Sequence, residues 1–359
     1  MRIFRVTIKN YRNFNEVSVL LSNFNVLIGE NGSGKSNFLK GIRNALGPLN
    51  PLFRDYDPER DSNLSLPSDF YASVSLSEKE RQKIINLITN ENSRDSLSEI
   101  PFFDLDVEIL YQIRTRPNQI VRLNDVTEKI NIEATTNGPY GLTKFRPGIL
   151  SSIQFNSIID TFYLPETREI PNNITPTTDQ PAGKYDVLNS LVEIKLNRRE
   201  LYESIMKKAK IIAPELRSLD IFFSNGQASA TFSINGTDKN IPTLLMSKGY
   251  RELFILLITL EFAPEGSSIM IEEPEIHLHY SAIKELKKIM LDTVKEKGVQ
   301  LIFTTHSFQF LSDLFPEKDS SIKFLKFEKE RDLPYTKICE IKTDKEIANL
   351  ENAMRGIKD

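Results

Sequence analysis

The chain opens on strict alternation. Phe4, Val6 and Ile8 are apolar while Arg5, Thr7 and Lys9 between them are polar, the period-two pattern of a half-buried strand. "NEVSVLLSNFNVLIG" continues with two more strands, and the second of them runs straight into "GENGSGKSNFLKGIRNAL", a glycine loop followed by a helical pattern. The Pro- and Asp-rich stretch "GPLNPLFRDYDPERDSNLSLPSDF" reads as surface loop. Ser77 and Glu80 form a capping-box pattern ahead of Ile84, Ile85, Leu87 and Ile88, which predicts a helix there. "FFDLDVEILYQI" alternates cleanly and "QIVRLNDVTEKINIE" more loosely, so two strands follow. Residues 184–213 predict one long helix or two, and "LDIFFSNGQASATFSING" a hairpin turning at Asn225-Gly226.

The final third has a different pattern. "GYRELFILLITLEF" is an apolar helix, "SSIMIEE" a buried strand, "SAIKELKKIMLDTVKEK" an amphipathic helix and "VQLIFTTHS" another buried strand. Continuous apolar strands alternating with helices predict a parallel sheet covered on both faces. The tail "TDKEIANLENAMRG" reads as a closing helix. No heptad run or internal repeat interrupts this order.

Composition narrows the classes. A chain of 359 residues can bury a full core. With 46 basic and 49 acidic residues, net −3, any nucleic-acid surface must be a local patch. The single cysteine, Cys339, excludes an internal disulfide and any zinc cluster built on several cysteines. No apolar run approaches the ~20 residues that span a bilayer, so no membrane partner is expected and a cytoplasmic setting is.

"GENGSGKS" matches G-x-x-x-x-G-K-[ST] at Gly29, Gly34, Lys35 and Ser36, after a strand and before a helix, the context this motif needs. Glycines let successive N–H groups turn inward around phosphate oxygens, and the helix N-terminus adds positive potential. Asn31, Gly32, Ser33, Gly34, Lys35, Ser36 and Asn37 therefore form the expected cradle for ATP. Lys35 would reach the β- and γ-phosphates, and Ser36 would ligate Mg²⁺.

Such a loop needs an acid at the end of a second parallel strand and a group that orients the attacking water. "SIMIEE" supplies Glu272 as the metal-side carboxylate and Glu273 as the base, and His306 follows the strand "LIF". The only other histidines are His277 and His279. A His-x-His pair with His306 and the two glutamates could also hold zinc, so that alternative stands beside loop packing and dimer contacts for His277 and His279.

Taken in order, the phosphate loop, "IMIEEPEIHLHY" and "LIFTTHS" resemble an ABC-type ATPase. The resemblance is to the branch containing RecF, the SMC-like proteins and the OLD-family ATPases. It implies an ABC-like P-loop α/β fold: a mixed sheet with a parallel core, an antiparallel β-subdomain and a helical lobe. One discontinuous domain is expected, with a nucleotide core in 1–50 and 240–359 and an inserted lobe in 51–239. The segment "IKNYRNFNEVSVLL" is similar to that branch's opening strand pair, which implies Arg12 and Asn13 as contacts to the base. The family's Ser-x-Gly signature is met by Ser247, Lys248 and Gly249, which would act on the nucleotide of a second copy. "FYLPETREIP" resembles a strand-to-loop segment that makes Arg168 a γ-phosphate or relay residue.

The middle lacks the heptads of an SMC arm, and with only a short stretch after His306 no TOPRIM domain of a full OLD nuclease is expected. An ATP-dependent homodimer that regulates a separate effector or a DNA-bound complex, in phage defence or DNA repair, is expected. A RecF-like clamp that grips DNA is the alternative, and a scaffold that binds ATP without turnover is a third reading. Lys195, Arg198, Arg199, Lys207, Lys208 and Lys210 mark a candidate DNA- or partner-facing lobe.

Overall fold

A computed structural model describes residues 2–46, 68–75, 104–113, 126–138, 141–145, 161–168 and 187–307 (less 226, 237 and 238). It also describes 310, 311, 314, 321–330, 334–343, 346 and 349. The Ser77–Glu80 helix, the loop after residue 46 and most of the closing helix lie outside these residues. The chain forms two interleaved compact units. One comprises Met1–Thr161, Gly266–Ser268 and Ser321–Ile341; the other Phe162–Glu265, Ile269–Ser320 and Lys342–Asp359.

In the first unit, β1 (Arg2–Tyr11), β2 (Phe14–Leu20) and β3 (Phe24–Gly29) precede α1 (Lys35–Leu46), as the alternation and the glycine loop predict. β1 is flanked by β2 and by β4 (Ser68–Ser75), and the antiparallel sheet continues through β5 (Asp104–Ile113), β6 (Val126–Gly138) and β7 (Gly141–Phe145). β3 pairs in parallel with β14 (Ile322–Lys329), placing Phe327 beside Gly29, and β14 pairs antiparallel with β15 (Thr336–Ile341). Both parallel and antiparallel pairing thus occur around the strand that carries the glycine loop.

Aromatic packing fixes that loop from beneath. Phe14, Phe38 and Phe327 meet edge to face, with ring centroids 6.3, 6.5 and 5.5 Å apart, and all three are buried. Burying each phenyl ring contributes roughly 1.5–3 kcal/mol, so β2, α1 and β14 are held around one cluster. α1 also lies close on β1: a side chain at Gly41 would meet Ile8 Cδ1 at 2.3 Å.

The second unit holds β8 (Thr161–Leu164, all but its first residue), two helices where one or two were expected, α2 (Val187–Asn197) and α3 (Arg199–Ile212), and the hairpin β9 (Leu216–Ser224) and β10 (Gln227–Ile234) with β11 (Ile241–Pro242). Asn225 follows β9 at φ 50°, a left-handed conformation asparagine tolerates. The apolar helix is α4 (Lys248–Phe262), which packs on α2 and α3. β12 (Ser268–Glu272) and β13 (Gln300–Thr305) are buried along their whole lengths, β12 lies between β13 and β8, and α5 (Tyr280–Lys297) connects β12 to β13. Among the described residues no helix is long and apolar enough to cross a membrane.

Candidate active site

The phosphate loop is a main-chain object. Gly32 and Gly34 sit at φ 71° and 100°, where a β-carbon is disfavoured. A side chain at Gly29 would lie 2.5 Å from the Phe327 carbonyl oxygen, and one at Gly34 would lie 2.0 Å from Asn13 Nδ2. The motif glycines are therefore required by both conformation and space. Ser33 N–H donates to Glu30 O (3.1 Å), and Phe38 N–H to Gly34 O (2.8 Å) starts the helix. Lys35, buried, donates Nζ–H to the carbonyls of Gly29 (2.8 Å) and Glu30 (2.9 Å), which holds its ammonium within the turn. The buried Ser33 hydroxyl has no protein partner, a polar group inside a loop whose donors suit an anion.

Asn13 is spent on the loop. Its Nδ2 donates to Thr336 Oγ1 (2.5 Å) and Ser33 O (3.3 Å), its Oδ1 accepts from Asn37 Nδ2 (2.7 Å), and Thr336 Oγ1 donates to Ser33 O (2.8 Å). Arg12, at φ 50°, donates to Asn37 Oδ1 (2.6 Å) and lies 5.4 Å from the centre of the Tyr11 ring. Arg12, Asn13 and Asn37 thus form one chain of contacts behind Ser33.

In the second unit β12 ends at Glu272, and Glu273 turns to φ 43°. This left-handed conformation is costly for a glutamate, and it is held by bonds from Glu273 N–H to Thr304 O and Thr304 Oγ1, both 3.1 Å. Glu273 Oε1 lies 3.1 Å from His306 Nε2. The adjacent Glu272 is buried and accepts the Tyr163 hydroxyl at Oε1. Glu273 and His306 were each expected at a strand end, and the structure brings them face to face; Tyr163 was given no role, although its segment was singled out for Arg168.

Arg168 is neither an exposed loop arginine nor a free finger. Buried, it donates Nη2–H to the carbonyl oxygens of Glu272 and Glu273 (3.0 Å for the latter) and Nε–H to Pro165 O (3.0 Å). Burial pulls its pKa down, opposed by the carboxylates of Glu252, Glu275, Glu272 and Glu273. It clamps the turn that presents both glutamates. Glu275, quoted in the sequence but given no role there, is also buried, and it accepts from the Thr305 hydroxyl and from His306 N–H (3.3 Å) at one oxygen. An acid amid buried neighbours two residues past a glutamate pair was the available signal.

The histidines part company. His277 Nδ1 lies 3.0 Å from Glu252 Oε2, and His279 caps α5, its Nδ1 3.1 Å from Ser281 Oγ and accepting Ser281 N–H at 3.5 Å. His306 faces Glu273. No group of three or more metal-binding side chains occurs among the described residues. Ser247 caps α4, its Oγ accepting Tyr250 N–H at 3.4 Å, and Gly249 lets the His277 carbonyl approach: a side chain there would meet it at 2.5 Å. Ser247 and Lys248 are exposed at that helix start.

Among the basic residues, Lys208 pairs with Glu261 of α4, Lys195 of α2 with Asp220 of β9 (3.0 Å) and Arg199 with Glu203 of its own helix (2.9 Å), which offsets part of their charge.

Residues 24–313 match the family described as "AAA domain, putative AbiEii toxin, Type IV TA system", and residues 1–44 match an "AAA ATPase domain". The chain is 22% identical to an ATP/GTP phosphatase of Helicobacter pylori over 88% of each. It is 24% identical to endonuclease GajA of Bacillus cereus and 24% to the Old nuclease of Escherichia phage P2, spanning 57% of the length of each. Among solved structures it is similar to an Smc head bound to the C-winged helix domain of ScpA, with TM-score 0.58, 15% identity and 96% of this chain and 100% of that one covered. A Pyrococcus furiosus Smc head with an extended coiled coil gives TM-score 0.60 at 12% identity, with 98% and 99% covered. With the glycine loop and the paired glutamates in the order that fold requires, the chain belongs to this AAA-domain family and is a P-loop ATPase with the fold of Smc heads.

Proposed function

We propose that this ATPase is a nucleotide switch: it binds ATP, closes as a homodimer around it, and signals the bound state to a separate effector protein in phage defence or DNA repair. The observation that carries the reading is the Glu273–His306 pair, 3.1 Å apart on a turn held by Thr304 and Arg168. A carboxylate so fixed can take a proton from an attacking water, and the imidazole can orient the same water or contact the γ-phosphate. Lys35 and the amides of Asn31 to Asn37 receive the phosphates, and Arg12 flanks the base; Asn13 serves as the strut of the loop. The hard oxygens of Ser36 and Glu272 suit Mg²⁺, which when bound would offset the charge of the phosphates. Ser247 and Gly249, at the N-terminus of α4, are the proposed contact to the nucleotide of the second copy. The nucleotide core of 1–50 and 240–359, with 51–239 as the inserted lobe, remains our partition, and the cytoplasm our proposed setting.

The names of the relatives support a role near nucleases, and the ScpA-bound Smc heads support a protein partner on this fold. The paired cations of α3 favour an effector protein over a DNA clamp. Glu273→Gln should keep ATP binding, lower turnover by roughly 10²–10⁴-fold and accumulate an ATP-bound dimer in light scattering. Lys35→Ala should weaken ATP binding by about 10–100-fold. A Glu273→Gln protein that turns over normally, or that stays the same size with ATP, refutes the scheme.

A further inference from the structure

Glu275 stands outside every role assigned above. It is buried, and it sits in the turn that follows the glutamate pair: Ile276 N–H donates to Glu273 O and Leu278 N–H to Glu275 O, both at 3.1 Å. Its Oε1 accepts two bonds from the end of β13, one from the Thr305 hydroxyl and one from His306 N–H at 3.3 Å. Thr305 Oγ1 in turn accepts Ser307 N–H at 3.0 Å. The other carboxyl oxygen, Oε2, is buried without a partner, an arrangement that packing alone would avoid.

Two lacings therefore join the same pair of segments. Glu273 N–H is tied to Thr304, while Glu275 grips Thr305 and the main chain of His306. His306 lies at the vertex, and its imidazole can face Glu273 only while its backbone is held. We propose that Glu275 is a positioning residue for ATP hydrolysis: through Thr305 and the His306 amide it sets where the His306 imidazole stands relative to Glu273. This rests on the reading of Glu273 as the base.

The charged groups facing it are Glu273, which opposes its ionisation, and Arg168, whose charge its carboxylate favours, with His306 beyond the amide it holds. Burial pushes the Glu275 carboxyl up to about 7, against the bonds from Thr305 and His306. Ionisation near neutral pH strengthens its grip on those two donors.

The test uses the full chain with ATP and Mg²⁺. Glu275→Ala should lower kcat by roughly 10–100-fold and leave KM within about twofold, as expected when a reacting group is misplaced rather than when binding is lost. Glu275→Gln, which keeps an acceptor oxygen but cannot ionise, should fall between the two and lose the limb of the kcat–pH profile near neutrality. Thr305→Val should move kcat in the same direction, which covers the case of a Glu275→Ala chain that fails to fold. The three histidines make a second readout simple. In NMR spectra without nucleotide, Glu275→Gln should shift the His306 ring signals and leave those of His279, which is engaged with Ser281, in place. An unmoved His306 signal, or wild-type kcat across the pH range in the Gln and Val variants, overturns the proposal. Normal turnover in Glu273→Gln would instead sink the base assignment while the His306 shift still reported the brace.

Discussion

At the phosphate loop most of the groups that would face a ligand belong to the main chain, beside the Lys35 and Ser36 side chains, and the sequence must supply glycine wherever a β-carbon would clash, as at Gly29 and Gly34. At the glutamate–histidine corner the working groups are side chains, and each is aimed by another from elsewhere in the chain: Tyr163 on Glu272, Arg168 on the turn, Thr304 on Glu273, Glu275 on the His306 segment. Backbone geometry depends on residue type at fixed local spacing. Side-chain aim depends on contacts between distant segments. The first should therefore tolerate loss of a supporting side chain, and the second should not.

The largest effect that tests this contrast is expected at Arg168. It is buried among four carboxylates and bonded to the Glu272 and Glu273 carbonyls, so Arg168→Met removes the charge that these acids share and takes a donor from both carbonyls, of which Glu273 O keeps Ile276 N–H. Breaking such a buried arrangement costs about 3–5 kcal/mol. A large drop in the urea midpoint, together with weakened turnover in whatever protein remains folded, is the expected result. A Met variant as stable as the parent would show that the corner does not rely on long-range aim.

Next in size is the pH dependence of stability set by Glu275. Its folded pKa, about 7, lies above the 4.5 expected of an exposed glutamate because of burial. Between those values the folded protein holds a proton that the unfolded chain has released. Its contribution is thus fully present below pH 4.5, and is lost as pH rises toward 7, by a total of order 3 kcal/mol. Glu275→Gln lacks this loss, so denaturant melts should show the variant gaining on the parent through that window and then holding its lead. A variant that is more stable at pH 8 yet slower in turnover separates positioning from plain structural support. Parallel stability curves would remove that distinction.

How far the sequence could be read follows the same division. The order of β1 to α1, the glycine loop, the buried strands β12 and β13, and the strand-end positions of Glu273 and His306 were all legible, since alternation, glycine spacing and strand-end position are local signals, whereas the facing of that pair was not. Arg168 was noticed through the family resemblance as a γ-phosphate or relay residue, but nothing local says that its guanidinium turns back onto two carbonyls. The histidines at 277 and 279 share a spacing that suits a metal, yet they separate once a helix starts at Tyr280 and Glu252 arrives from α4. The family resemblance implied Asn13 as a base contact, and Thr336, the partner that commits its side chain to the loop, stands more than 300 residues away.

Asn13→Ala provides the smallest and sharpest comparison. The substitution removes bonds to Ser33 O, Thr336 Oγ1 and Asn37, but Thr336 Oγ1 still donates to Ser33 O, and Ser33 N–H still closes on Glu30 O. Neutral side-chain hydrogen bonds contribute about 0.5–1.5 kcal/mol each, and Thr336 and Asn37 can recover part of that from water. The expected cost is therefore about 1–2 kcal/mol, with ATP affinity by titration calorimetry falling less than tenfold and Lys35 still bound to the carbonyls of Gly29 and Glu30. The truncation also opens the space against Gly34, so Asn13→Ala with Gly34→Ala should bind ATP better than Gly34→Ala alone, where the new methyl meets Asn13. Only the clash would be relieved, because Gly34 keeps φ 100° and the strain of a left-handed alanine remains. A loss for Asn13→Ala as large as that for Arg168→Met would mean that the loop, too, is aimed by side chains, and the contrast between the two regions would fail.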